Sequence, residues 1–261
     1  MSNGVAIDWA KAKRIALVVP GDSQIDDEFW RLLAPYAIPL VTRTAGAEPS
    51  QMVNVGAAAS HTKSLAESSD IEVAADHLRT VQADAAAYVD TSISFIRGPG
   101  GDLDISRRIE SFLKIPTIST STAVIDACKA LEVANLGVLT VYVDEVNDAI
   151  PRFFEPQGVT VKRMQKADTR QESGNTNHEL GQMSADELVT LGDRMNDADL
   201  DAIFIPCTAV RTLDAIEPLE AVIGKPVVTA IQATMWRVAR LAGLTHDPAQ
   251  GGRLFEADAS D

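Results

Sequence analysis

Eight short apolar segments, arranged as a repeat, restrict the fold of this chain more than any other feature of its sequence. They are rich in β-branched residues and alternate with Ala-rich helical stretches: Ile15–Pro20, Ile38–Thr42, Ala86–Asp90, Ile115–Thr120, Leu136–Val141, Val159–Arg163, Ala202–Pro206 and Pro226–Ala230. The first four correspond in order to the last four, at offsets of about 120 residues for three pairs and about 110 for the fourth. Apolar runs of this length between amphipathic helices are typical of buried parallel strands. The sequence therefore predicts an α/β fold with two pseudo-symmetric halves, each a doubly wound parallel sheet of the Rossmann or flavodoxin type.

The repeat also predicts the domain organisation. The first half spans residues 1–119, the second spans residues 120–229, and the C-terminal segment 230–261 packs back on the first half. Ligands of open parallel sheets bind beyond the carboxyl ends of the strands, where loops and helix N-termini present N–H groups. We therefore expect the two halves to face each other, with the active site in the cleft between them.

The charge of the chain restricts its partners. With 37 acidic and 23 basic residues, the formal net charge is −14. Nucleic acids and anionic membranes are bound by basic surfaces, and the sequence contains no basic stripe. No apolar run approaches the roughly 20 residues of a membrane span, and Met1–Asp8 lacks the order of a signal peptide. We expect a cytoplasmic protein that binds neither nucleic acid nor membrane.

Cysteine and histidine are scarce, and this argues against a metal centre. The chain has two cysteines and four histidines, and no two histidines have a ligand-type spacing. In the absence of a secretory signal, Cys128 and Cys207 are expected to be free thiols, with Cys128 in the core. These patterns predict chemistry without a metal, and the family resemblance described below implies that no other cofactor is needed.

Two further segments have a simple structural interpretation. The polar stretch from Asp168 to Ser184 is typical of a surface loop or a flap, and Ser184 is a predicted N-cap of the helix that follows. The C-terminal segment GGRLFEADASD is expected to be a loose tail.

Two side chains that can transfer protons occupy equivalent positions in the repeat. Asp90 ends the segment AAYVD, and Cys207 ends the segment IFIPC. A helix is expected to begin within two or three residues of Cys207, so that its dipole would lower the pKa of the thiol. Taken alone, Cys207 is also consistent with a small core residue, and Asp90 with a helix N-cap. Their equivalence favours a pair that removes a proton from one face of a carbon and returns one to the other.

Several segments of the sequence resemble one known superfamily. TSISFIRG, STAVIDACKAL and VYVDEVND, which begin at Thr91, Ser121 and Val141, are similar to segments of arylmalonate decarboxylase. HELGQMSADEL and PCTAVRTLDAIEPLEAVIGKPVV, which begin at His178 and Pro206, resemble maleate cis-trans isomerase and its ectoine-utilisation homologues. The chain is thus identified as a member of the aspartate/glutamate racemase superfamily, in the maleate isomerase and arylmalonate decarboxylase branch.

The resemblance implies roles for individual residues. The residues expected to bind a substrate carboxylate and the enediolate formed from it are Thr91, Ser92, Tyr142, Cys207 and Thr208. Preorganised donors of this kind stabilise a developing dianion in a dry pocket. Pro20 and Ser23 are further expected substrate contacts, in the segment PGDSQ that replaces the Asn-containing carboxylate clamp of maleate isomerases. The superfamily is also consistent with a homo-oligomer.

Asp90 departs from the patterns of this branch. Maleate isomerases and amino-acid racemases have a cysteine at the corresponding position, and arylmalonate decarboxylase has a glycine. Beside a bound carboxylate in a desolvated pocket, the pKa of Asp90 is expected to rise, which would allow it to act as an acid or base near neutral pH.

Three functions are consistent with this pattern. The leading hypothesis is a cofactor-independent isomerase or racemase that acts at the carbon next to a carboxylate of a small mono- or dicarboxylic acid. It would use an enediolate-like intermediate, with Cys207 and Asp90 as the acid/base pair. The alternative is a cofactor-free decarboxylase of a malonate-type acid, with Cys207 as proton donor. The second alternative is a non-catalytic protein that binds a small acid, because a fold alone does not determine a function.

Overall fold

Two parallel four-stranded sheets form the framework of the protein. The computed structural model describes residues 7–21, 23–44, 70–167, 179–246 and 248–257. The first sheet has the order β2-β1-β3-β4, and the second has the order β6-β5-β7-β8. The strands are β1 Lys13–Val19, β2 Ala37–Arg43, β3 Ala85–Tyr88, β4 Thr117–Ser119, β5 Asn135–Thr140, β6 Thr160–Lys166, β7 Ala202–Ile205 and β8 Val227–Thr229. All eight predicted strands are present, and the identical order of the two sheets confirms the repeat and the α/β fold.

Helices connect the strands and cover the sheets. They are α1 Asp26–Leu33, α2 Asp70–Asp76, α3 Ser92–Arg97, α4 Gly101–Leu113, α5 Thr120–Ala130, α6 Asp144–Asn147, α7 Ala149–Phe154, α8 Ala185–Met195, α9 Leu213–Ile223, α10 Ala230–Leu241 and α11 Gly252–Glu256. A short 3₁₀ turn, Glu155–Gln157, follows α7. The predicted N-cap Ser184 is confirmed, since its hydroxyl accepts the N–H of Glu187 at 3.2 Å.

Strand β1 shows why the strands appear in the sequence as continuous runs of apolar residues. Ile15, Leu17 and Val19 belong to the larger hydrophobic core, whereas Ala16 and Val18 belong to a smaller core on the other face of the sheet. Because successive side chains of a strand point to opposite faces, a sheet covered on both faces needs apolar residues at every position.

The repeat places Asp90 and Cys207 at equivalent points. Strands β3 and β7 each occupy the third place in their sheets. Val89 alone separates β3 from Asp90, and Pro206 alone separates β7 from Cys207. Both residues therefore lie just beyond the carboxyl end of an inner strand.

Helices α5 and α10 join the two halves. They begin in the same way: the Ser119 hydroxyl accepts the N–H of Thr122, and the Thr229 hydroxyl accepts the N–H of Gln232. The two helices pack on each other, and Arg237 Nε of α10 donates to Asp126 of α5 at 2.8 Å. Helix α10 also contacts β3 and β4 of the first sheet. The predicted domain boundary between residues 119 and 120 stays a prediction.

One prediction about the chain end is wrong. Residues Gly252–Glu256 form α11 instead of a loose tail, and Leu254 and Phe255 are buried. The Phe255 ring packs edge-on against the ring of His246, with centroids 5.5 Å apart. Apolar contact thus orders this segment up to residue 257, and residues 258–261 lie outside the described part of the chain.

Two remaining expectations concern loops and membranes. Residues 168–178 of the predicted polar loop lie outside the described residues. Over the residues that are described, none of the helices combines the length and the apolar character that a membrane crossing requires.

Candidate active site

The hydroxyl of Tyr142 connects side chains from both halves of the protein. Its oxygen lies 2.6 Å from Thr91 Oγ1, and it also hydrogen-bonds the side chain of Cys207. The charges of Cys207 and Asp90 both act on this phenol. The structure thus brings Asp90 and Thr91, which follow β3, together with Tyr142 and Cys207, which follow β5 and β7. We refer to these four residues as the Tyr142 cluster.

A small network holds the backbone of Tyr142. Its N–H donates to Thr140 Oγ1 at 3.1 Å, and the Thr140 hydroxyl donates to Asn147 Oδ1 at 2.8 Å. Asn147 Nδ2 completes the network by donating to the carbonyl of Tyr142 at 3.0 Å. The Tyr142 ring packs edge-on against Phe95, with centroids 6.5 Å apart. Asn147 was not among the residues predicted from the sequence. It lies in VYVDEVND, one of the segments that resemble the family, and this was the signal that could have identified it.

The environment keeps Tyr142 in its neutral form. Burial is the largest cause that raises the pKa of its phenol well above the ordinary value, and the nearby charges of Cys207 and Asp90 raise it further. The hydrogen bond between Tyr142 and Thr91 lowers the pKa but does not reverse the shift. Tyr142 therefore remains a hydrogen-bond donor throughout the physiological pH range.

Asp90 caps helix α3. Its Oδ1 accepts the N–H of Ile93 at 2.8 Å, and the hydroxyl of Ser92 lies 3.2 and 3.3 Å from the two carboxylate oxygens. Asp90 therefore caps the start of the helix, as the simpler interpretation predicted. The same carboxylate also interacts with Tyr142. The cap fixes the orientation of the carboxylate, and Ser92 is part of that arrangement.

Cys207 has an unusual backbone conformation. Its φ is +81°, in the left-handed region that residues with a side chain rarely adopt, and the residue is 5% exposed. The prediction that a helix begins within two or three residues is wrong, because the chain after Cys207 is non-helical until α9 begins at Leu213. The helix N-terminus that was expected at the thiol therefore begins only at Leu213.

The N-terminus of α9 is occupied by Glu28 instead. Glu28 Oε1 accepts the N–H of Thr212 at 2.8 Å and the N–H of Leu213 at 3.0 Å. Burial raises the pKa of Glu28 to about 7, against the lowering effect of the two N–H donors. Sequence reasoning missed this residue, although Glu28 lies with Phe29 and Leu32 on the buried face of α1.

Pro20 and Ser23 lie in a different loop, after β1. Both are buried, and the Ser23 N–H donates to the carbonyl of Pro20 at 3.1 Å. Within the described residues the Ser23 hydroxyl has no hydrogen-bond partner, and neither has that of Thr44, which the sequence analysis missed. The hydrogen bonds described for Pro20 and Ser23 do not extend to Tyr142. Thr208 is buried next to Cys207.

The match to a known family decides the identity of the chain. Residues 58–255 match the family model described as arylmalonate decarboxylase. The chain belongs to the arylmalonate decarboxylase family. Arylmalonate decarboxylase of Bordetella bronchiseptica is 32% identical over 193 residues, which cover 71% of this chain and 78% of that protein.

Solved structures of the branch share the fold. The structure of unliganded arylmalonate decarboxylase has a TM-score of 0.77 at 25% identity and covers 94% of this chain and 99% of its own. A maleate cis-trans isomerase of Nocardia farcinica, a cysteine-to-serine variant with a covalently bound succinylcysteine intermediate, has a TM-score of 0.75 at 19% identity. That alignment covers 94% of this chain and 98% of the isomerase. The predicted superfamily and branch are confirmed.

Membership of the arylmalonate decarboxylase family makes the chain an enzyme of a branch that contains isomerases and decarboxylases with a catalytic cysteine. Cys128, the other cysteine of this family member, is fully buried in the core, as predicted, and burial raises the pKa of its thiol to about 12. In the described part of the chain, no three His, Cys, Asp or Glu side chains are grouped to hold a metal ion.

Proposed function

We propose that this member of the family is a cofactor-independent isomerase or racemase that acts at the carbon next to a carboxylate of a small mono- or dicarboxylic acid. The observation that carries the proposal is the position of Tyr142: its phenol oxygen lies 2.6 Å from Oγ1 of Thr91, the residue that follows Asp90, and it hydrogen-bonds Cys207. Two groups that can transfer protons, Asp90 after β3 and Cys207 after β7, thus lie around one hydrogen-bond donor. Such a pair can act on opposite faces of one carbon.

The proposed reaction has two proton transfers. The Asp90 carboxylate removes the proton from the carbon next to the substrate carboxylate, and the electrons of that C–H bond form an enediolate. The thiol of Cys207 then donates its proton to the opposite face of the same carbon, leaving a thiolate and a protonated Asp90. Exchange of one proton through solvent restores the starting forms, and the reverse reaction uses the same groups in exchanged roles. That Asp90 accepts a proton near neutral pH stays a prediction.

Hydroxyl donors stabilise the intermediate in this proposal. Tyr142 and Thr91 are already paired at 2.6 Å, and both are buried, so their orientation is set before substrate binds. The neutral phenol donates to the developing dianion, the hydroxyl of Thr208 is a further donor, and the hydroxyl of Ser92 orients the Asp90 carboxylate. One such preorganised donor contributes about 3 to 4 kcal/mol to transition-state stabilisation in other enzymes.

Decarboxylation of a malonate-type acid is the second candidate. The match of residues 58–255 to the arylmalonate decarboxylase model and the 32% identity to a decarboxylase favour it. In this reaction a C–C bond breaks, CO₂ leaves, and the electron pair forms the same enediolate. The Cys207 thiol protonates the carbon and regains its proton from solvent, so the reaction needs no second acid or base.

Proton NMR in D₂O distinguishes the candidates. The protein is incubated with aspartate, glutamate, maleate and a set of 2-aryl and 2-alkyl malonates, beside the variants Cys207→Ala and Asp90→Asn. Exchange of the proton next to the carboxylate, lost in both variants, is the result expected for the isomerase. Loss of CO₂ that requires Cys207 and survives Asp90→Asn would establish the decarboxylase in its place.

Cys128→Ala is the matched control, since it removes the other thiol from a purely apolar environment. It should keep full turnover. If wild type binds an acid from this panel as tightly as Cys207→Ala and converts none, the non-catalytic alternative is correct and the isomerase proposal is wrong.

A further inference from the structure

The segment that carries Cys207 has little regular structure of its own. Residues 208–212 form a turn, a bend and two residues without regular secondary structure between β7 and α9. Cys207 nevertheless holds a φ of +81°, a conformation that persists only where the surroundings enforce it. Something outside the segment must therefore hold it in place.

Helix α1 provides that support from the other half of the sequence. Glu28 accepts the N–H groups of Thr212 and Leu213, which lie 184 and 185 residues away along the chain. Arg211 Nη1 donates to the carboxylate of Asp27 at 2.5 and 2.6 Å, and its Nη2 donates to the carbonyl of Gln24 at 2.9 Å. We call Gln24, Asp27 and Glu28 the α1 clamp.

The contacts that the α1 clamp makes differ in burial. The side chains of Arg211 and Asp27 are 40% and 50% exposed, and ion pairs of this kind contribute little because water screens them. Glu28 is 1% exposed, and its hydrogen bonds are made in a dry environment where a lost acceptor leaves two N–H groups without a partner. Glu28 is therefore the principal member of the clamp.

We propose that Glu28 is a positioning residue for Cys207: it anchors the end of the segment that begins at the thiol, and so holds that thiol against Tyr142. The catalytic part of this inference rests on the proposed function, since it takes Cys207 as the proton-transfer group. The structural part does not, because it concerns only the placement of Cys207. Glu28 itself need not touch the substrate.

The test uses Glu28→Ala, Glu28→Gln and a matched control. Glu28→Ala removes the oxygen that accepts both N–H groups, whereas Glu28→Gln retains an oxygen that can accept both. The control is Glu220→Ala, because Glu220 is also a buried carboxylate that accepts two backbone N–H groups, from Val227 and Arg253. It lies on α9, and its partners are at β8 and α11 instead of the Cys207 segment.

Alkylation by iodoacetamide reports on the thiol without any substrate. Peptide mass spectrometry follows Cys207 separately from Cys128. In Glu28→Ala we expect Cys207 to be alkylated about tenfold faster than in wild type, because local opening exposes it. Turnover of the acid identified by NMR should fall roughly tenfold or more in kcat with a smaller change in KM, since misplacement of a reacting group slows chemistry. Glu28→Gln should restore both towards wild type.

The control variants separate positioning from general stability. Glu220→Ala should lower the melting temperature and leave the alkylation rate of Cys207 unchanged.

Arg211→Ala is the fallback if Glu28→Ala does not fold. It removes the exposed contacts of Arg211 with Asp27 and Gln24, and it should increase the alkylation rate of Cys207 by less than Glu28→Ala. Unchanged alkylation in the folded Glu28 and Arg211 variants would overturn the proposal. A third outcome is that Glu28→Ala is alkylated faster while wild type converts none of the acids. That outcome would reject the proposed function but support the role of Glu28 in positioning Cys207.

Discussion

The hydroxyl oxygens of Tyr142 and Thr91 lie 2.6 Å apart, although 51 residues separate them in the chain. One follows a strand of the second sheet and the other follows a strand of the first. Packing of the two sheets therefore creates a pair of oriented hydroxyl groups that neither half has alone. The proposed chemistry depends on this pair, and so do the first two predictions below.

Tyr142→Phe removes the phenol hydroxyl and keeps the ring against Phe95. We expect kcat to fall about 100-fold, because a preorganised donor to the developing dianion is lost. Stability should fall by only about 1 kcal/mol, the usual contribution of one hydrogen bond. Steady-state kinetics and urea unfolding measure the two effects. Tyr36→Phe is the control, since Tyr36 is exposed and its ring lies beside His246, and a loss of kcat there would contradict the interpretation.

Asn147→Ala removes the donor to the Tyr142 carbonyl and the acceptor for Thr140. We expect a loss of roughly 1 to 3 kcal/mol of stability, because buried polar groups of Thr140 and Tyr142 lose their partner. A tenfold decrease in kcat, about 1.4 kcal/mol, should accompany it as the phenol moves. Denaturation and kinetics on the same samples test this. An unchanged kcat in a destabilised protein would show that Asn147 has no influence on the position of Tyr142.

Cys207→Gly and Cys207→Ala test the strain at φ +81°. Both variants lack the thiol and should lack activity, but only glycine adopts this φ without a steric cost. We expect the Gly variant to be more stable than the Ala variant by about 1 kcal/mol, which is the reverse of the usual order of these residues. Chemical denaturation measures the difference. A Gly variant that is the less stable of the two would mean that Cys207 is not strained.

The pH dependence of stability should carry a signal from Glu28. Burial raises the pKa of Glu28 to about 7, and the groups that act on it further are Asp27, Arg31 and the N–H groups of Thr212 and Leu213. Below pH about 4.5 the carboxyl is neutral in both the folded and unfolded chain, and its contribution to stability is fully present. Between pH 4.5 and about 7, the Glu28 carboxyl ionises in the unfolded chain but stays neutral in the folded protein. The contribution of Glu28 to stability is therefore lost progressively as the pH rises through this range.

Glu28→Gln removes this ionisation. As the pH rises from 4.5 to 8, the free energy of unfolding of the variant should therefore increase by roughly 1 to 3 kcal/mol relative to that of wild type. Urea unfolding of both proteins across this pH range provides the measurement. Two curves that stay parallel would show that Glu28 ionises at the same pH in the folded and unfolded states.

Much of the framework was predictable because it depends on local pattern. Eight apolar runs, each bounded by helical stretches, identified the eight strands, and the repeat identified the equivalence of Asp90 and Cys207. Parallel strands buried on both faces must be apolar at every position, so the signal is continuous and strong. The resemblance of three segments, at Thr91, Ser121 and Val141, pointed to the family that the comparison confirmed.

The sequence by itself determined the two sheets, their order along the chain and the positions where polar side chains follow the strands. Only the tertiary structure decided the left-handed backbone of Cys207, the late start of α9 at Leu213 and the roles of Glu28 and Asn147. The periodicity that defines a strand or helix comes from neighbours within a few residues. A buried carboxylate acquires its hydrogen-bond partners from groups about 184 residues away and its raised pKa chiefly from burial, and both exist only after the two halves have packed together.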